Sequence, residues 1–137
     1  KNNAADTIAV NTAHLQYTIT GRPITKKNSQ RIFRNSTTGK PFIKPSQQYE
    51  NYAEAAAYCL RPTPATPIDY PCNVMCVYFM PTRKTCDLVN LLEATLDILV
   101  KNNIFADDNY RIAASHDGSC VKYDKDNPRT EIIITRK

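Results

Sequence analysis

The sequence predicts an α+β fold: a single domain with a mixed sheet of four or five strands and two main helices packed on it. Three observations carry that prediction. Residues 73–80 (NVMCVYFM) are dense in β-branched and aromatic side chains and are stopped by Pro81. Residues 88–102, placed at about 100° per residue, present a broad apolar arc. Asn90, Glu93, Asp97 and Lys101 are left on a narrow polar stripe of that helix. No segment repeats, and 137 residues suit one core. A domain of that size buries about two-thirds of its unfolded surface.

In chain order, residues 15–20 (LQYTIT) alternate apolar and polar and read as a strand ended by Gly21-Arg22-Pro23. The loop 24–30 carries Lys26, Lys27 and Asn28. Residues 31–34 and 40–44 form a basic hairpin across 35–39, with a positive outward face. Ser46 is a good N-cap for a helix over 47–60, packed through Tyr49, Tyr52, Ala53, Ala56 and Ala57. Four prolines between 62 and 71 make a loop rather than a domain linker. After strand 73–80, residues 82–85 bring Arg83 and Lys84 up to Asp87, which starts the long apolar helix. Residues 110–116 and 130–135 read as closing strands, with Asp117-Gly118-Ser119 a turn or bulge and 122–129 a charged loop. Residues 1–14 read as a flexible N-terminal leader without the apolar core of a signal peptide, and 15–137 as the domain.

Composition narrows the function. Eighteen Lys and Arg against thirteen Asp and Glu give a net charge of +5, and the cations crowd residues 22–44. A basic segment facing an acidic cluster fits a phosphate-bearing partner and a cation, although a solvated surface has the same composition. No apolar run reaches about 18 residues, which excludes a membrane helix. Five cysteines without paired CxxC spacing, and two histidines that complete no set, argue against zinc and for reduced thiols in a cytoplasm.

The chemistry gathers between Arg83 and Tyr110. Asp87 opens the helix; Asp107 and Asp108 follow it after a short turn that can double back toward Asp87. Carboxylates converging from separate elements beside lysines and arginines are what a magnesium-dependent nuclease requires. Each acid also has a plainer role. Asp before a helix is a preferred cap, Asp107-Asp108 is ordinary turn chemistry, and Asp97 pairs with Lys101 at i,i+4.

The order Asp87-Leu88-Val89-Asn90-Leu91, then an apolar helix with Asp97 in D-x-L, then Asp107-Asp108, a strand and a closing β segment resembles the RusA family of Holliday junction resolvases. The phage-borne RusA-like endonucleases are the nearer branch, and Asp117-Gly118-Ser119 and Asn127-Pro128-Arg129-Thr130-Glu131 are similar to features of it. The resemblance spans residues 15–137. It implies a Mg²⁺-dependent (or Mn²⁺-dependent) endodeoxyribonuclease acting on branched DNA as a homodimer, in a bacterial host cytoplasm, with a prophage among the expected origins. It further implies Asp87, Asp107 and Asp108 as catalytic and metal-binding acids. Lys26, Lys27, Arg31, Arg83 and Lys84 are expected to contact DNA, holding the backbone without reading sequence. Two positions depart from the pattern D-x-D-N followed by a lysine: Val89 stands for the second acid and Glu93 for the lysine. Glu93 is then either a substitute metal ligand or a solvated residue. A branched-DNA-binding protein with impaired cleavage is the alternative function those departures support.

Overall fold

Everything in the fold is referred to one strand, β4 (Cys72–Met80), in a computed structural model that describes residues 14–26, 31–44 and 46–137. Val74, Cys76, Tyr78 and Met80 alternate along β4 and are buried on one face, as the period of two in a strand requires. One edge of β4 pairs antiparallel with β7 (Arg129–Arg136), in register from Cys72↔Arg136 to Phe79↔Arg129. The other edge pairs parallel with two short strands. β5 (Ala113–Ser115) meets the start of β4, and β6 (Cys120–Tyr123) meets its end. β1 (His14–Thr20) closes the sheet antiparallel to β7, giving the order β1-β7-β4-β5 with β6 also on β4. β2 (Arg31–Arg34) and β3 (Pro41–Lys44) form a separate two-stranded ribbon.

Two helices cover the face of β4 that carries Tyr78. Helix α1 (Gln47–Cys59) starts at Ser46, whose hydroxyl accepts the Tyr49 amide at 3.1 Å. It reaches the sheet through Tyr52, whose hydroxyl lies 3.2 Å from Thr130 Oγ1 on β7. Helix α2 (Leu88–Lys101) makes the crossover from β4 to its parallel neighbours and buries Leu91, Ala94, Thr95, Ile98 and Leu99. Thr95 donates to the Leu91 carbonyl at 2.9 Å and meets the Tyr78 hydroxyl at 2.7 Å, so the one polar pair under α2 is satisfied. Burial carries the Tyr78 phenol far above its ordinary range, which keeps it neutral there. Asn103, at φ 62°, turns the chain out of α2. Ile68 of the proline-rich loop then fixes the exit, donating to Ile104 O at 2.8 Å and accepting from Ala106 N at 2.9 Å.

The α+β architecture agrees with the reading of the sequence, and so does the ribbon. Three points differ. The strand expected over 110–116 contracts to Ala113–Ser115, because Asn109 accepts the Arg111 amide through its side chain and the Ile112 and Ala113 amides through its carbonyl. Cys120–Tyr123 is a strand where a turn and a charged loop were expected; its extended form comes from pairing with β4, which no local propensity encodes. Val89, placed on the apolar arc of the helix, is 69 % exposed. The leader assigned to 1–14 lies outside the described residues except for His14, which begins β1.

The end of β4 is locked by Arg129. Its guanidinium lies 3.7 Å from the Phe79 ring centroid, donates to Glu131 Oε2 at 2.8 Å and donates to Asp124 Oδ2 at 2.9 Å. Asp124 Oδ1 in turn accepts the amides of Asp126 and Asn127, so one carboxylate orders the 124–129 loop. The Arg129 hydrogen bond, helped by those amides, holds the Asp124 carboxyl below its usual range. A depressed folded-state pKa contributes stability above the unfolded value of about 3.9 and loses it as pH falls through the folded value. Asp124→Asn is therefore expected to flatten the acid side of the stability curve below about pH 4. Melting temperatures across that range test this; parallel curves for the two proteins would contradict it.

Candidate active site

The N-terminal ends of both helices open on one cleft of about 510 Å³, lined by Arg22, Thr25, Gln48, Lys84, Asp87 and Asn90 among others. Each helix contributes the positive end of its peptide dipoles, and Arg22 and Lys84 add full charges, so the cleft favours an anion. Asp87 sits inside it as the N-cap of α2, with extended backbone at φ −98° and ψ 112°. Its Oδ1 accepts two of the free amides of the first turn, Val89 at 2.9 Å and Asn90 at 3.3 Å. The cap thus uses a single oxygen, and Oδ2 is left for a ligand. Capping and metal binding are compatible at this residue.

Asp107 and Asp108 lie beyond the other end of α2. The chain leaves the helix at Asn102, is pinned to Ile68 through Ala106, and returns to β4 at Cys72, whose amide donates to Ile112. A helix of 14 residues is about 21 Å long, so it holds Asp87 well apart from the acid pair. The expectation that the turn brings the pair back to Asp87 within one chain is not met. Among the described residues, no group of three or more His, Cys, Asp or Glu could hold a metal ion. The two adjacent acids also differ from each other. Asp107 accepts the Asp108 amide at 2.7 Å and the Asn109 side chain at 3.0 Å, bonds that lower its pKa and commit both its oxygens to the turn. Asp108 is exposed, and its amide is the group that Asp107 holds.

The other expected residues are scattered. Glu93 is exposed on α2, about 9 Å along the axis from Asp87 and roughly 120° around it, so the two do not share a site in one chain. Lys26 pairs with Asp97 at 3.7 Å, and Asp97 also takes Lys101 at 3.0 Å and the Tyr49 hydroxyl at 3.4 Å. Much of the Lys26 charge is therefore answered within the protein. Arg83 stacks on Tyr123, 4.0 Å from the ring centroid, at the rim of the sheet, while Lys84 lines the cleft itself. Lys27 and the side chain of Arg31 lie outside the described residues. Asp117 exchanges backbone hydrogen bonds with the Asn73 side chain and serves the turn before β6. Two cleft residues escaped the sequence reading, Arg22 and Gln48. Arg22 was legible as part of a strand stop and of the basic segment 22–44, and no local pattern marks it as lining a cleft with Lys84.

The model of the endodeoxyribonuclease RusA family matches residues 20–135. The chain belongs to that family. No curated protein matches it. The RusA match takes in both helices, all of β2 to β6, the cleft and both acid positions. This member therefore comes from a family of DNA endonucleases in which the reacting groups must act on a phosphodiester. The cleft at the α2 N-terminus joins a carboxylate to cations.

The cap geometry makes a separable prediction for Asp87. Asp87→Ala removes both amide acceptors and is expected to cost about 0.5–2 kcal/mol of stability, whereas Asp87→Asn keeps a capping oxygen and costs little. Urea unfolding of the two variants distinguishes them. Equal destabilisation would mean that the charge, not the hydrogen bonds, stabilises the helix start.

Proposed function

We propose that this RusA-family protein is a Mg²⁺-dependent, structure-selective endodeoxyribonuclease that resolves four-way and other branched DNA, and that it works as a two-fold dimer with composite sites. The observation that carries the reading is the separation of Asp87 from Asp108 by the full length of α2. Two copies related by a two-fold axis, with their α2 helices antiparallel, place Asp87 of each beside Asp108 of the partner subunit. One flank of α2 suits that pairing. Val89, Leu92, Leu96 and Val100 follow at helical spacing, Val89 is exposed and the other three are half-buried. Helix α1 packs to one side of that flank, where Tyr49 meets Asp97.

The donor set is chemically suited to magnesium: hard carboxylate oxygens from Asp87 and Asp108, with Asp107 shaping the turn. When bound, the ion supplies charge stabilisation at a phosphodiester oxygen and a more acidic water. The protein's own part is positional. Arg22 and Lys84 hold the backbone phosphate in the cleft beside Asp87, and the peptide dipoles of both helices add to that attraction. Two sites related by one axis match the two symmetric strands of a four-way junction.

A binder with impaired cleavage is the second reading, favoured by Val89 at the position of the second family acid. Incubation of the protein with a labelled four-way junction and a linear duplex, with Mg²⁺ or with EDTA, decides between them. Paired nicks in the junction that require Mg²⁺ support the resolvase; binding without a cut in either Mg²⁺ or Mn²⁺ supports the binder.

The composite site has its own test. Asp87→Asn and Asp108→Asn are each expected to abolish cleavage while leaving junction binding intact. A mixed dimer of the two variants regains one complete site, Asp87 from one subunit and Asp108 from the other, and nicks a single strand. Sites built within one chain leave the mixed dimer inactive, and that result would refute the arrangement.

A further inference from the structure

The β2–β3 ribbon is a sheet of its own. It pairs with no other strand, and its apolar side chains are exposed on both faces. Ile32 and Ile43 are 74 % and 64 % exposed on one face; Phe33 and Phe42 are 37 % and 46 % exposed on the other. The two rings stack, with centroids 5.8 Å apart and planes 24° off parallel. An isolated hairpin is at best marginally stable in water, and exposed apolar residues gathered on one element mark a surface meant for a partner. The tip is nevertheless built to hold its shape. Asn35 Oδ1 accepts the amides of Thr37 and Thr38, and Gly39, at φ 73°, donates to the Asn35 carbonyl.

Charge says what the partner is. The 14 residues from Arg31 to Lys44 contain four Lys and Arg and no Asp or Glu. Lys44 Nζ lies 5.7 Å from the Phe33 ring centroid, and Arg34 is held to the tip by its bond to Gly39 O at 3.0 Å. Cations beside an aromatic platform bind a polyanion that also offers flat π faces, which is a nucleic acid. A two-stranded ribbon has the width of a DNA groove. Position agrees as well: Lys44 comes two residues before Ser46, the cap of α1, and Gln48 of that helix lines the cleft.

Resting on the branched-DNA reading above, we propose that the ribbon is a wedge that senses the branch. Phe33 and Phe42 stack on base faces that have lost a neighbour at the crossing point, while Arg34, Lys40 and Lys44 take the flanking phosphates. In an unbroken duplex every base face is already covered, and the wedge must pay to unstack a step before it gains anything. The aromatic pair thereby confers preference for branched over linear DNA, and the cations confer affinity for both.

The test uses the full chain in EDTA, where binding can be read without cutting. Affinities for a four-way junction and a linear duplex are compared for the wild type, Phe33→Ala/Phe42→Ala, Phe33→Tyr/Phe42→Tyr and Lys40→Ala/Lys44→Ala, with circular dichroism confirming that each is folded. The double alanine variant is expected to bind the junction at least tenfold more weakly, the effect of about one lost base–aromatic stack. Its duplex affinity is expected to stay unchanged, and the tyrosine variant to bind like the wild type. The lysine variant is expected to weaken both substrates alike and to lessen the salt dependence. A 2-aminopurine at the crossing point should brighten on binding wild type and not on binding the alanine variant. Junction preference that survives the double alanine change overturns the wedge alone. A wild type that binds both DNAs equally overturns the wedge together with the branched-substrate reading. Equal loss on both DNAs, accompanied by a change in oligomeric state, makes the ribbon a subunit contact and overturns the wedge.

Discussion

The docking of α2 on β4 through the Tyr78–Thr95 pair is the constraint on which the rest of the molecule depends. Both partners of that contact are buried, both hydroxyls are satisfied, and the helix around them is apolar on its inner face. The helix therefore behaves as a rigid spacer about 21 Å long. At one end it fixes Asp87 by its own cap; at the other it delivers the chain to Ile68 and so fixes the turn holding Asp107 and Asp108. The sheet sets what lies around each end. β4 finishes near Asp87, with Met80 in the cleft wall, and begins near the acid turn, where Cys72 accepts the returning chain into the sheet. Asp87 and the Asp107–Asp108 pair are thus held at the two ends of one stiff element.

Electrostatics in this chain are local rather than global. A net charge of +5 is modest, and several cations are already matched. Lys26 and Lys101 share Asp97, and Arg129 is held between Asp124 and Glu131. Pairs as exposed as Asp97 with Lys101 contribute only a few tenths of a kcal/mol, so their effect is to neutralise and orient. Arg22 and Lys84 line the cleft at the α2 N-terminus, and the ribbon carries its own cations. The two groups are joined through the start of α1.

Local signals explain what could be seen in the sequence. The alternation in β1, the β-branched run of β4 and the Ser46 and Asp87 caps each depend on near neighbours, and each element lies where those signals put it. The misreadings are all tertiary. Cys120–Tyr123 is a strand because β4 offers it an edge, and residues 110–112 are not one because Asn109 captures their amides. The acids themselves were legible by their order along the chain. Their separation was not, since a helix followed by a turn can send the chain back along itself or across to another segment. Here the Ile68 hydrogen bonds, formed with a loop more than 30 residues earlier, make that choice.

Position 89 shows how the departures from the family pattern fit one geometry. At about 100° per residue, Val89 sits far from the buried arc of Leu91, Ile98 and Leu99, on the flank it shares with Leu92, Leu96 and Val100. In the proposed dimer that flank faces the partner subunit. An acid at 89 would lie on the side of the helix where Asp108 of the partner subunit arrives, which is where a further metal ligand is useful. A valine there adds apolar area to the seam instead and leaves Asp87 as the carboxylate that this end of α2 contributes. Loss of the acid and gain of packing are then two consequences of one substitution. In the proposed dimer, the cation site would be poorer in negative charge and the pairing that assembles it stronger.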